Sequence, residues 1–134
     1  MSRPRVVLAD DNGLVASEIH ALLAPAFDVI AVVNSGEELE AAYDRLAPQV
    51  IVTDIAMPGE GGLVAAKHIR ERDPDARVVL LTVINASSMI RLGLSVGVYG
   101  YVLKEDAGDE LVPAVQAALE GRQYVSSAAR PNLQ

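Results

Sequence analysis

Four short apolar runs each end in a reactive polar side chain. Val6-Val7-Leu8-Ala9 leads into Asp10-Asp11, Val50-Ile51-Val52-Thr53 into Asp54, Val78-Val79-Leu80-Leu81 into Thr82, and Tyr101-Val102-Leu103 into Lys104. A further run lies at residues 29–33. Their near-continuous Val, Ile and Leu content fits strands buried on both faces, as in a parallel sheet covered by helices. The pattern predicts strands near residues 5–9, 29–33, 50–53, 77–82 and 99–103.

Between these runs the apolar period changes to that of a helix. Val15, Ile19, Leu22 and Leu23 share one face, and Pro25 stops that helix. Asn34 or Ser35 caps a second helix, whose stripe of Leu39, Ala42, Tyr43 and Leu46 ends before Pro48. A third covers 62–72, with Leu63, Ala66 and Ile69 inward and Pro74 beyond its end; a fourth covers 86–96 and a fifth about 109–120, closed by Gly121. Strand and helix alternate, which is the signature of βαβ units and an α/β domain. Two positions resist the pattern. Gly93, inside the fourth helix, costs about 1 kcal/mol relative to Ala and implies close packing or a softened helix. Pro113 requires the fifth helix to start late or to kink. Residues 4–121 form one domain on this reading, and residues 122–134 read as a tail or the start of an interdomain linker.

Composition narrows the function classes. A chain of 134 residues buries a core without staples, and the absence of cysteine excludes disulfides and thiolate metal sites. The basic start Met1-Ser2-Arg3-Pro4-Arg5 is followed by only four apolar residues, too few for a signal peptide. No apolar stretch approaches the roughly 18 residues of a membrane span, so a soluble cytoplasmic protein is expected. A net charge of −7 without any Lys/Arg cluster argues against direct nucleic-acid binding.

Carboxyl ends of parallel strands share one sheet edge, so the four polar ends converge on a crevice. Asp10 or Asp11 could simply cap the first helix. Two adjacent carboxylates in one crevice also call for a hard divalent cation, of which Mg2+ is the natural candidate. Asp54 supplies a third ligand and a carboxylate able to form an acyl phosphate. Thr82 can hydrogen-bond a phosphoryl oxygen and Lys104 can contribute a cation. His20 and His68 show no acidic or histidine neighbours at metal-binding spacing and read as surface positions. Tyr99 reads as a packing or surface residue.

The set Leu8-Ala9-Asp10-Asp11, Asp54-Ile55-Ala56-Met57-Pro58-Gly59, Leu81-Thr82 and Gly100-Tyr101-Val102-Leu103-Lys104 resembles the receiver domain of bacterial two-component response regulators. Leu103-Lys104-Glu105, Leu111, Val115 and the stretch Glu120 to Ser126 resemble the branch usually joined to a LuxR-type helix-turn-helix domain. The resemblance implies a doubly wound, flavodoxin-like, five-stranded parallel sheet in the order 2-1-3-4-5 with five helices. It makes Asp54 the phosphoacceptor, places Mg2+ at Asp10, Asp11, Asp54 and the backbone carbonyl of Ala56, and makes Thr82 and Tyr101 a switch pair with Lys104 on the phosphate. Ala56 and Ile84 take positions that tune the lifetime of the phosphorylated state.

Its implied partners are a sensor histidine kinase and a second copy through the surface of the fourth helix, fifth strand and fifth helix. The output is transcription through an attached DNA-binding domain or, for a stand-alone receiver, protein contact or phosphorelay. Three departures stand out: Glu105 in place of a proline, Gly61 in place of a capping Asp or Asn, and Asn12-Gly13 in place of His-Pro. An Asp-nucleophile phosphohydrolase needs a second acid where Ala56 stands. A flavodoxin-type cofactor site needs a Ser/Thr/Gly-rich loop where Asp10 and Asp11 stand.

Overall fold

The computed structural model describes residues 2–133. Each predicted run becomes a parallel strand: β1 Arg5–Ala9, β2 Asp28–Val33, β3 Val50–Thr53, β4 Val78–Thr82 and β5 Gly100–Leu103. Helices α1 Gly13–Leu23, α2 Gly36–Leu46, α3 Gly62–Arg72, α4 Ser87–Val96 and α5 Ala107–Leu119 alternate with them. The sheet has six strands rather than the expected five, in the order β2-β1-β3-β4-β5-β6, where β6 is Tyr124–Val125. Two residues are too short a run to announce a strand. They are held because Gly100 pairs with Tyr124 and Tyr101 with Val125, at an edge of β5 that would otherwise stay open.

Side chains leave each strand alternately to the two faces. Val7, Ala9, Ile51, Val78, Leu80, Tyr101 and Leu103 join one buried cluster with Leu39 of α2, Ile69 of α3 and Ile90 of α4. Val6, Leu8, Val52, Val79, Leu81 and Val102 join the other, with Ile19 and Leu23 of α1 and Leu111 and Val115 of α5. The layers are therefore α1 and α5 on one face and α2, α3 and α4 on the other. The chain order reverses between β1 and β3, and Ala9 lies in register with Thr53 there. This switch point opens a crevice at the carboxyl edge of the sheet.

Local chemistry sets the helix ends. Neither Asp10 nor Asp11 caps α1: Asn12 does, its Oδ1 accepting from Val15 N at 3.2 Å. Ser35 caps α2 by accepting from Glu38 N. Gly61 gives α3 no side-chain cap, as the missing Asp or Asn implied. Far from starting late, α5 begins at Ala107, directly after a 3₁₀ turn at Lys104–Asp106, and runs through Pro113. Its stripe of Ala107, Leu111, Ala114, Val115 and Ala118 is buried along the whole length. That burial outweighs the roughly 3 kcal/mol an interior proline costs. Gly93 answers a packing need, since a Cβ there would lie 2.9 Å from Leu80 Cδ1 and 3.4 Å from Tyr101 Cδ2.

The exposed helix pair α2–α3 is tied by an ionic group that chain separation conceals. His68 Nδ1 lies 3.0 Å from Glu40 Oε2 and 2.9 Å from Glu60 Oε1, so His68 does have acidic neighbours. Arg72 meets both Glu40, at 2.6 Å, and Asp44, at 3.1 Å. Burial opposes ionisation of Glu40, yet hydrogen bonds from Glu60, His68 and Arg72 bring its pKa down to about 2. The hydrogen bond to Glu40 raises His68 above its ordinary value. Tyr99 rests between the Arg70 and Arg77 guanidiniums, 5.9 and 5.8 Å from its ring centre, as a packing residue.

Two expectations follow for stability. A Cβ at Gly62 would fall 1.8 Å from the carbonyl oxygen of Asp54, whereas one at Gly108 meets nothing within 4 Å. Chemical denaturation should show Gly62→Ala losing about 3 kcal/mol or more and Gly108→Ala gaining about 0.5–1 kcal/mol. Because the His68 pKa is raised on folding, its contribution is complete below the unfolded value near 6.5 and is lost as pH rises through the folded value. The Tm difference between wild type and His68→Gln should shrink from pH 6 to pH 8.

Candidate functional site

The β1 and β3 ends place two carboxylates side by side. Asp54 N donates to Ala9 O at 2.9 Å and Asp10 N to Val33 O at 3.0 Å, so the backbone itself fixes both residues at the switch point. Asp10 is buried, at 3% exposure, and Asp11 beside it is exposed. Asn12 N donates to Asp10 Oδ1 at 2.9 Å, which orients that carboxylate across the crevice. One oxygen from each of Asp10, Asp11 and Asp54 lies within 4.8 Å of the others.

Lys104 closes the group from β5. Its Nζ donates to Asp54 Oδ2 at 2.8 Å and to Asp10 Oδ2 at 3.1 Å. Burial disfavours its charge, but the bonds to Asp54 and Asp10 more than compensate and raise its pKa above the usual lysine value. The other Asp54 oxygen, Oδ1, accepts from Ala56 N at 3.3 Å. The Asp54 carboxylate is thus held at both oxygens, beside a cation that can turn toward an incoming anion. All-oxygen donors of hard character, three of them carboxylates, fit Mg2+ rather than a softer transition ion.

Thr82 ends β4, in register with Leu103, and is buried. Its Oγ1 accepts from Ile84 N at 3.1 Å, leaving its own proton free to donate elsewhere. Tyr101 is fully buried in the cluster beneath α4 and donates its hydroxyl to Ile84 O at 2.7 Å. Burial pushes the phenol up to about 12. Thr82 and Tyr101 therefore meet through one residue of the β4–α4 loop, and the tyrosine ring already occupies the space under α4. Ile84 itself is half-buried and packs against that same cluster.

A cavity of about 330 Å³ adjoins the crevice on the α1–β2 side, lined by Asp10, Asp11, Ser17, His20 and Asn34 among others. His20 is exposed on its rim. One positioning residue escaped the sequence reading: Gly62. Its N–H donates to Ile55 O at 2.8 Å, and the absence of a side chain lets the start of α3 lie against the Asp54 carbonyl. The Gly61-Gly62 pair shortly after an acidic strand end was the available signal.

Comparison with known proteins agrees with this geometry. Residues 6–116 match the model of the response regulator receiver domain. The transcriptional regulatory protein DegU of Brevibacillus brevis is 32% identical over 131 residues, covering 96% of this chain and 56% of its own length. The response regulator GacA of Pseudomonas protegens is 34% identical over 124 residues, covering 91% and 58%. The chain thus spans just over half the length of these curated relatives. Among solved structures, a LuxR-family two-component response regulator from Aurantimonas superposes with a TM-score of 0.93 at 31% identity, covering 98% of this chain and 96% of that one. The isolated receiver domain of RcsB from Salmonella enterica serovar Typhimurium, determined with the phosphomimetic BeF3−, gives 0.90 at 25% identity, covering 99% and 100%. With the acidic strand ends, the lysine that joins them and the doubly wound sheet in place, the chain belongs to the response regulator receiver domain family, among relatives of the LuxR type.

Proposed function

We propose that this chain accepts a phosphoryl group on Asp54 from a sensor histidine kinase and relays the event through the β4–α4 loop to the surface formed by α4, β5 and α5. The observation that carries the proposal is Lys104 joined to both Asp10 and Asp54. A lysine so placed holds the nucleophile in line and is ready to follow charge onto a transferred group.

Asp54 Oδ attacks phosphorus as the bond to the donor nitrogen breaks, and the electron pair leaves with the donor imidazole. Lys104 shifts from its carboxylate partners to an equatorial phosphoryl oxygen, where its charge stabilises the transition state. Thr82 Oγ1 donates to another, and Ala56 N lies close enough to Asp54 to serve the acyl phosphate. Receiver domains bind Mg2+ at acidic residues; here Asp10, Asp11, Asp54 and the Ala56 carbonyl would hold it, and the ion supplies neutralisation of the phosphoryl oxygens. The family is regulatory, so turnover is limited to the domain's own phosphorylation and dephosphorylation.

The output we infer is transcription control, through a DNA-binding domain of the kind LuxR-type regulators carry. The relatives are named as transcriptional and response regulators, and this chain corresponds to just over half of their length. Residues 4–121 are the receiver proper on this reading, and a second copy is the natural partner for the switched surface, as related RcsB proteins form dimers. No helix among the described residues is long and apolar enough to cross a membrane, which suits a cytoplasmic regulator.

Incubated with acetyl phosphate and Mg2+, the wild type should gain the mass of one phosphoryl group and Asp54→Asn none. Full gain in the variant overturns the assignment of Asp54. An apolar Ile84 cannot orient an attacking water, so Ile84→Glu should speed loss of the phosphoryl group by roughly tenfold or more, followed by intact mass after donor removal.

A further inference from the structure

The stretch beyond α5 is docked in two unequal halves. Its first half is fixed to β5 and α5. Leu103 N donates to the buried Ser126 Oγ at 3.0 Å, Ser126 N to Tyr101 O at 3.0 Å, Ser127 N to Glu110 Oε1 at 2.9 Å and Ala128 N to Asp106 Oδ2 at 3.0 Å. Its second half, the 3₁₀ turn at Arg130–Leu133, packs on α4. That half is held across to the β4–α4 loop by one residue, Asn85. Asn132 Nδ2 donates to Asn85 Oδ1 at 2.8 Å and to Asn85 O at 3.2 Å, while Asn85 Nδ2 donates to Ala128 O at 3.1 Å. Leu133 and Ile84 are both partly buried side chains packed against the cluster in which Ala129 is fully buried.

Asn85 follows Ile84, and Ile84 is the residue through which Thr82 and Tyr101 meet. Resting on the proposed phosphorylation of Asp54, we propose that residues 131–133 are a displaceable latch on α4, locked to the site by Asn85 and released when the β4–α4 loop moves. A threonine hydroxyl can donate to a phosphoryl oxygen while still accepting from Ile84 N. The loop therefore travels with Thr82 toward the phosphate. Ala128 cannot follow, because Asp106 and the neighbouring Ser126 and Ser127 anchor it to the other side. The three Asn85 bonds span parts that then separate, and their loss frees the turn beyond Arg130, while Arg130 Nε stays on Val125 O at 2.8 Å and β6 stays paired. Its departure uncovers the α4 surface that a second copy would use. The energy of the acyl phosphate is thus read first by this chain's own C-terminal segment and only then by a partner.

The test uses the whole chain with beryllium fluoride and Mg2+, occupancy being read by fluorine NMR and amide exchange by mass spectrometry over residues 127–133. Exchange at Asn132 N, which donates to Ala129 O, should rise about tenfold or more, since several hydrogen bonds give way together, with Leu103 N and Arg130 N unchanged. Bound fluoride with unchanged or slower exchange overturns the latch and leaves the acceptor site standing. No bound fluoride removes the acceptor reading and the latch with it. Asn132→Ala should raise exchange without ligand and, by reciprocity, tighten beryllium fluoride binding about threefold or more. Raised exchange with unchanged affinity would show a segment uncoupled from the site and overturn the proposal.

Discussion

Asp10 and Asp54 sit on adjacent strands at a point where backbone hydrogen bonds leave neither free to move away. Two carboxylates so confined need a cation, and Lys104 crosses from β5 to touch both. Everything around the crevice follows from that compensation. Lys104 can reach because β4 and β5 are in register, Thr82 opposite Leu103, which sets the lysine one step beyond the sheet. The same arrangement makes the site responsive: an anion or a divalent cation entering the crevice must redistribute the contacts of a single ammonium group.

Close approach of backbone to backbone supports this edge from below. The start of α3 lies against the Asp54 carbonyl only because residue 62 has no side chain, and the Thr53 hydroxyl donates to that same carbonyl at 2.9 Å. The loop between them is fastened to α2 as well: Gly36 N donates to Glu60 O at 2.8 Å and Glu60 N to Glu37 Oε1 at 2.9 Å. The hydrogen bond with Glu40 also holds the Glu60 carboxyl above its usual pKa, part of the same fastening. Rigid support on the β3 side contrasts with the β4–α4 loop, whose partners, Tyr101 on Ile84 and Asn132 on Asn85, belong to other parts of the molecule, so movement of the loop is felt there.

Strand and helix order, the two-sided burial of the sheet and the acidic and basic strand ends were legible because period and composition encode them directly. α5 starts earlier than Pro113 implies for a general reason: the local cost of the proline is visible in the sequence, while the continuous buried stripe that offsets it depends on what α5 packs against. The capping of α1 fell to Asn12 because the helix begins at Gly13, while Asp10 Oδ1 accepts from Asn12 N. The His68 group was invisible because Glu40, Glu60 and His68 are spread over two helices and a loop.

The sequence by itself determined the alternation of strands and helices and which polar side chains stand at the strand ends, since buried parallel strands of this length align their ends whatever the detailed packing. Tertiary structure decided what those groups touch. It set Lys104 between two aspartates, folded Tyr101 under α4 with its hydroxyl on Ile84, and turned an unremarkable polar tail into a sixth strand and a turn held by Asn85. These are contacts between residues far apart in the chain, and hydrophobic period carries no information about which distant polar atoms will come within 3 Å of one another.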